Sequence, residues 1–299
     1  MFYRSFSNEI RRRFGEKLYK LSLDGGMSCP NRDGTLGHGG CIFCSGGSGE
    51  FAAAQRPSIE EQLESARARV AFKAGDSGRY IAYFQSYTNT YAPAQRLREL
   101  FMPIITRPDI AVLDIATRPD CLGDDILELL SELNRIKPVW VELGLQTIHE
   151  HTALYIRRGY ELPVYEEVVK QLKARGLTVI THVILYLPGE TRAHMLETVR
   201  YVGCRTDGIK LQLLHVLQGT DLAAEYAAGK FRLPEPEEYC RLIADCLRQL
   251  PPHVVIHRLT GDGAKKDLIA PLWTGDKKRV LNTLNRILEE EQVVQGAGL

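Results

Sequence analysis

The sequence predicts an α/β fold in which a parallel sheet curls into a partial or whole barrel, and three observations carry that expectation. Short apolar runs alternate with amphipathic segments over residues 17–214. The runs are rich in Val, Ile, Leu and Tyr and nearly continuous, as parallel strands covered by helices read. Six strand–helix units follow one another, the series that builds a curled parallel sheet. An open doubly wound sheet is the alternative. The glycine-rich first loop lacks a G-x-G-x-x-G opening directly into a helix, which argues against a dinucleotide fold.

Taken in order, residues 18–23 read as the first strand and 24–50 as a glycine-rich loop. Ser58 and Glu61 make a capping-box pair that opens a helix running to 73. Strands follow at 80–84, 110–116, 139–145, 177–185 and 208–214. Between them lie helices at 93–105, 124–136, 164–175 and 192–202, the third of these stopping at Gly176. After Gly219 the regularity changes. Pro234 and Pro236 interrupt it, then a helix at 237–250, a last strand at 253–259 and a terminal helix at 277–291 are expected. The organisation is therefore an N-terminal extension (1–16), a barrel (17–218) and a C-terminal cap region (219–299).

The chain has 299 residues, enough for one large domain or one with a small appendage. A formal net charge of +1 excludes a broadly basic nucleic-acid binder, so any such contact must come from a local patch. Basic residues cluster at Arg11–Arg13 and Lys277–Arg279, and each cluster reads first as a solvated helix face. No apolar run approaches the ~20 residues that span a bilayer, and the N-terminus is followed by charges. The expectation is a cytoplasmic protein without membrane contact, whose seven cysteines remain reduced.

The most informative stretch runs from Cys29 to Cys44 and contains Cys41. It follows the first strand, on the face where parallel barrels place their chemistry. A C-x-x-C pair brings two thiolates to one cluster from a tight turn, and three cysteines leave one iron of a cubane open. Glycines at 34, 37, 39 and 40 are expected to take positive φ and let the backbone wrap closely. Structural zinc is the competing reading, with His38 or Cys121 as fourth ligand. Unligated thiols are the third, and spacing alone leaves all three open.

The three cysteines, with aromatic Phe43 before the last, resemble the radical S-adenosylmethionine (SAM) superfamily. The usual spacing there is C-x3-C-x2-C, whereas eleven residues separate Cys29 from Cys41, a hallmark of one subgroup. Cys-Pro-Asn-Arg-Asp-Gly at 29–34, the stretch 84–91 and Thr117-Arg118-Pro119-Asp120 look like the bacterial YhcC/YtqA group, related to the Elongator catalytic subunit. The resemblance implies a partial (β/α)6 TIM-like barrel with a small C-terminal cap. It also implies a [4Fe-4S] cluster on Cys29, Cys41 and Cys44, SAM on the open iron, and an electron donor such as flavodoxin or ferredoxin. Reductive cleavage of SAM then gives a 5′-deoxyadenosyl radical that abstracts a substrate hydrogen, and the Elongator relationship points to a wobble uridine in tRNA. A small metabolite is the enzymatic runner-up, and a non-catalytic zinc-loop binding protein the rival from another class.

Several SAM contacts follow from the same resemblance. Phe43 corresponds to the aromatic residue near the adenine, and Leu187-Pro188 to the segment whose backbone cradles it. Glu142 and Gln146 bracket a glycine–aliphatic–glutamine motif near SAM, and Arg158, with Arg157 competing, matches an arginine that pairs with the SAM carboxylate. Gln85, Tyr87 and Thr88 stand where Gly-Gly-Glu usually receives the SAM amino group, and Thr117 follows an alanine that replaces a usual glutamate. Cys121, Cys204, Cys240 and Cys246 read as small buried hydrophobes. His182 and His215 are secondary candidates for substrate contact, and Tyr83, Tyr87 and Tyr91 form a period-four packing stripe.

Overall fold

The computed structural model describes residues 2–45, 58–74, 78–261 and 266–299, so residues 46–50 of the expected loop lie outside the described residues. The helices are α1 (Phe6–Phe14), α2 (Ile59–Ala74), α3 (Ala94–Ile105), α4 (Asp124–Ile136), α5 (Glu150–Tyr155), α6 (Leu162–Ala174), α7 (Arg192–Gly203), α8 (Asp221–Ala227), α9 (Pro236–Arg248) and α10 (Lys277–Glu290). The strands are β1 (Tyr19–Leu23), β2 (Tyr80–Phe84), β3 (Ile110–Thr117), β4 (Val139–Gln146), β5 (Thr178–Leu185), β6 (Gly208–Leu213), β7 (Val216–Leu217), β8 (Val255–Arg258) and β9 (Leu268–Ala270).

One seven-stranded parallel sheet runs in the order β1-β2-β3-β4-β5-β6-β8. A doubly wound sheet reverses its order at a switch point, and this one never does. Successive crossovers therefore curl it one way, into a partial barrel. The tail contributes its seventh strand, β8. Side chains on one face of the sheet, such as Leu21, Phe84, Leu113, Val141 and Leu211, pack beneath the outer helices, with Phe84 edge-on to Phe101 of α3 at 5.0 Å.

The opposite face lines the barrel in layers. At the end where the strands begin, Ile81, Val112, Trp140 and Ile180 form an apolar floor against Ile10, Phe6 and Phe14 of α1. That helix is capped by Ser5, whose side chain accepts from Asn8 N, and stops at Gly15 (φ 76°). It plugs the closed end, so the residues read as an extension are part of the barrel's core. Arg11–Arg13 are exposed there, away from the mouth. Lys277–Arg279 open α10 instead, and Lys277 shares a crevice with Leu213, at the mouth end of β6.

Above the floor lies a charged layer made of single residues from six strands, β1 to β6. Glu142 Oε1 accepts from Lys20 Nζ (2.9 Å), and Oε2 accepts from Tyr83 Oη (2.8 Å), His182 Nε2 (2.7 Å) and Lys210 Nζ. Lys20 Nζ also donates to Asp114 Oδ2 at 2.6 Å. Burial depresses the Lys210 pKa and raises that of Asp114, while the two lysines hold Glu142 well below the usual carboxylate range against its burial.

Candidate active site

The loop after β1 explains how eleven intervening residues return Cys41 to Cys29. Arg32 N and Asp33 N donate to Cys29 O, Leu36 N to Pro30 O, and Asp33 pairs with His38 in an isolated antiparallel bridge. The excess chain is thus folded away as a small hairpin. Gly34, Gly39 and Gly40 take φ of 95°, 85° and 86°, as expected, whereas Gly37 does not adopt positive φ and owes its place to the hairpin's turn. Gly40 N then donates to Asn31 O, and Cys44 N to Cys41 O, which closes the C-x-x-C turn.

Cys29, Cys41 and Cys44 are free thiols and half-buried. Burial pushes the Cys41 thiol up to about 11, and charge on Cys44 and Cys29 acts in the same direction. Among the described residues, no three Cys, His, Asp or Glu side chains converge as ligands of a single ion. Three thiols on one loop, with the Cys41–Cys44 turn closed by a backbone hydrogen bond, are donors of the kind that an iron–sulfur cluster takes.

The loop is tied to its surroundings on two sides. Ile42 N donates to Ile156 O, and Leu222 N of α8 to Ile42 O. Asn31 Nδ2 donates to the carbonyls of Arg157 (2.6 Å) and Arg158 (3.2 Å) and lies 3.5 Å from Cys41 Sγ. The short antiparallel pair β7–β9 and helix α8 lie beside the mouth. There Ile42, Ile156, Ile184, Leu187, Leu214, Val216 and Leu222 form an apolar cluster against which Phe43 packs. Phe43 and Leu187 are therefore brought together, as an adenine site requires, and Pro188 follows at the turn where Glu190 N donates to Leu187 O.

The polar candidates are distributed unevenly. Gln85 N donates to Leu23 O and Thr88 N to Ser28 O, which places the end of β2 against the cysteine loop. Tyr87 takes φ 55° with its ring under the Arg32 guanidinium. Gln146, at φ 72°, folds its amide over Gly144, where an added Cβ would lie 3.0 Å from Nε2. Its Oε1 and Ser86 Oγ are buried without a partner, so polar capacity remains at the strand ends. Thr117 Oγ1 is engaged by Thr90 Oγ1 at 2.6 Å. Arg158 is 2% exposed and spends part of its fork on Thr147 O (2.7 Å), Tyr160 O (2.9 Å) and Glu150 (3.3 Å). Arg157 is exposed and pairs with Asp221.

Three expectations need correction. Glu142 lies deeper on β4 than Gln146, beyond the register shift at Gly144/Gln146, and both its oxygens are occupied in the charged layer. Cys204 is exposed, because it caps the C-terminus of α7. Tyr83, Tyr87 and Tyr91 share no stripe: the first bonds Glu142, the second lies under Arg32 and the third bonds Thr35 Oγ1. A period of four needs a helix, and this segment is a strand followed by turns. His182 and His215 take the place of enclosed, packed histidines: His182 lies between Glu142 and Gln212 in the charged layer, and His215 packs against Gly261.

Sequence reasoning did not single out Asn31, Arg32 and Arg118, which lie beside the cysteines, although all three lie in quoted motifs. Arg118 forms a two-point pair with Asp120 (2.9 and 2.7 Å). Burial pulls its pKa down, but Asp120 and negative charge on Cys29 and Cys41 outweigh this and hold it above the usual value.

A parallel half-barrel with three free thiols at its mouth and an apolar shelf beside them defines a cofactor-dependent α/β-barrel enzyme. The radical SAM superfamily profile matches residues 34–202, and that of the Radical_SAM C-terminal domain matches 206–290. The chain belongs to the radical SAM superfamily, whose members bind a [4Fe-4S] cluster and SAM. It is 44% identical to the uncharacterized protein YtqA of Bacillus subtilis (strain 168), over 98% of this chain and 92% of that one. Protein YhcC of Escherichia coli (strain K12) is 41% identical, over 98% of this chain and 94% of that one. Elongator complex protein 3 of Schizosaccharomyces pombe is 29% identical over 58% of this chain but only 32% of its own length. The archaeal Methanocaldococcus infernus Elp3 structure shares the fold, with a TM-score of 0.67 at 15% identity over 93% of this chain and 64% of that one. This is a radical SAM enzyme of a YhcC-like group related to Elp3. Among the described residues, no helix is long and apolar enough to cross a membrane.

Proposed function

We propose that Cys29, Cys41 and Cys44 hold the [4Fe-4S] cluster, and that the enzyme works in the cytoplasm on a nucleoside in tRNA. The observation that carries the site assignment is the hairpin at Asp33–His38, which returns Cys41 and Cys44 to the mouth beside Cys29. When bound, the cluster would pass one electron, received from the donor, to SAM, whose cleavage to methionine would leave a 5′-deoxyadenosyl radical able to take a substrate hydrogen. The chain's own residues hold and shield. Phe43, Leu187 and Pro188 offer the adenine shelf, Gln146 and the Gln85–Thr88 turn offer polar contacts, and Arg158 and Thr117 brace the mouth. On this reading residues 17–218 carry the catalytic strands of the barrel, and 219–299 cap it and add its seventh strand, β8.

Support for tRNA is the relationship to Elongator complex protein 3, with the basic residues Lys277–Arg279 that open α10 as candidate phosphate contacts. Arg11–Arg13, at the closed end, take no part. A low-potential donor of the flavodoxin or ferredoxin class supplies the electron. Nucleosides from bulk tRNA of a deletion strain, separated and weighed, test the substrate. One modified nucleoside is expected to disappear or to remain as its precursor. An unchanged set overturns the tRNA assignment and returns a small metabolite to first place.

A further inference from the structure

Arg32 sits in a place made for it. Its Nη1 donates to Gly39 O at 3.0 Å and lies 3.5 Å from Cys44 Sγ, with Cys44 O at 3.4 Å. The guanidinium lies over the Tyr87 ring at 5.6 Å. Gly40 vacates the space it fills: a Cβ at that position would stand 2.8 Å from Arg32 Nη1. A second glycine acts likewise for the neighbouring side chain, since a Cβ on Gly159 would stand 2.5 Å from Asn31 Oδ1. Two residues in succession are thus seated against two ligand sulfurs by glycines at φ 86° and 81°. Arg118, the other cation near the cysteines, is neutralised by Asp120. Among the described residues, no ion pair of Arg32 with a carboxylate lies within 4.0 Å, and its Nη1 is 3.5 Å from Cys44 Sγ.

We infer that Arg32 is a tuning residue that raises the reduction potential of the cluster held by Cys29, Cys41 and Cys44. The inference rests on the cluster assignment above. Reduction adds one electron, drawn in the cell from the low-potential donor and in the assay from dithionite, and makes the cluster more negative. A fixed cation and an N–H donor at a ligand sulfur favour the more negative state. Asn31 does the same more weakly, because its two N–H groups are shared with the Arg157 and Arg158 carbonyls.

The test is a mediated redox titration of the anaerobically reconstituted full-length protein, followed by the EPR signal of the reduced cluster. Iron and sulfide are counted first. Cluster uptake tests the cysteine assignment, and the midpoint tests the inference, so the two fail separately. With a full complement of iron, Arg32→Met is expected to be about tenfold harder to reduce, ~59 mV for a one-electron couple. Arg32→Lys, which keeps the charge, is expected to recover most of the shift. If Arg32→Met takes up no cluster, Tyr87→Leu reads the same quantity, because it frees the guanidinium while leaving the loop's backbone hydrogen bonds. An unchanged midpoint in fully loaded Arg32→Met, or in Tyr87→Leu where that stands in, overturns the inference. So does an Arg32→Lys midpoint equal to that of Arg32→Met.

Discussion

Replacing Glu142 by glutamine removes one negative charge from a fully buried layer in which two lysines face two carboxylates. The amide keeps one acceptor oxygen but no charge, so Lys210 loses its ion-pair partner while Lys20 keeps Asp114. Breaking a buried pair in this way costs ~3–5 kcal/mol. An escape route caps the loss. Burial already depresses the Lys210 pKa to about 7, so the lysine can give up its proton, the more readily as pH rises. Urea unfolding of Glu142→Gln is therefore expected to show a loss of up to ~3–5 kcal/mol at pH 7 and a smaller one at pH 9. SAM affinity of the folded, loaded protein is expected to stay within about twofold of the parent, because both Glu142 oxygens are engaged within the charged layer. A loss under ~1 kcal/mol at pH 7 would show that the layer does not depend on this charge. A large change in SAM affinity would return Glu142 to the cofactor site.

Other perturbations separate the parts of the account. Gly159→Ala forces φ 81° on a residue with a Cβ, at ~1–2 kcal/mol, and displaces Asn31 from the loop, so thermal stability and iron uptake should both fall. Gly176→Ala, at φ 70° with open space around it, should lose stability alone; equal iron uptake in the two variants would refute the Asn31 brace. Gln146→Leu removes a buried acceptor that has no protein partner, so stability should hold while the SAM dissociation constant rises about tenfold. An unchanged constant by calorimetry would remove Gln146 from the site. His182 is depressed to about 4, chiefly by burial and then by Lys210. The unfolded chain takes a proton near pH 6.5 while the folded one resists, so stability is lost as pH falls from 6.5 towards 4, by up to ~3 kcal/mol. His182→Gln should flatten that part of the pH–stability curve, and a slope equal to the parent's would contradict the assignment.

Legibility in the sequence followed the length scale of each signal. The strands of the barrel were readable because each is a continuous apolar run bounded by turns, and β8 was visible for the same reason. Helix α1 was not read as core, since three arginines in its last turn hide the apolar face that Phe6, Ile10 and Phe14 present to the floor. The β7–β9 pair joins two- and three-residue strands some fifty positions apart, which no local pattern can show. The charged layer is built from Lys20, Asp114, Glu142 and Lys210, one per strand, and only the register that aligns them reveals a cluster. A signal existed nonetheless, in the lone charge that interrupts each otherwise apolar run. The cysteines were plain from their types and setting. Arg32 and Asn31 were not, because their places depend on the space left by Gly40 and by Gly159, the latter more than a hundred residues away.

The central claim is that this chain cleaves SAM reductively at a cluster held by Cys29, Cys41 and Cys44. The most direct measurement is 5′-deoxyadenosine formed by the anaerobically reconstituted, dithionite-reduced protein after addition of SAM, alongside Cys41→Ala. The account predicts 5′-deoxyadenosine from the parent, with four irons per chain, and none from Cys41→Ala. A fully loaded parent that forms none, or a Cys41→Ala protein that forms as much, would contradict it.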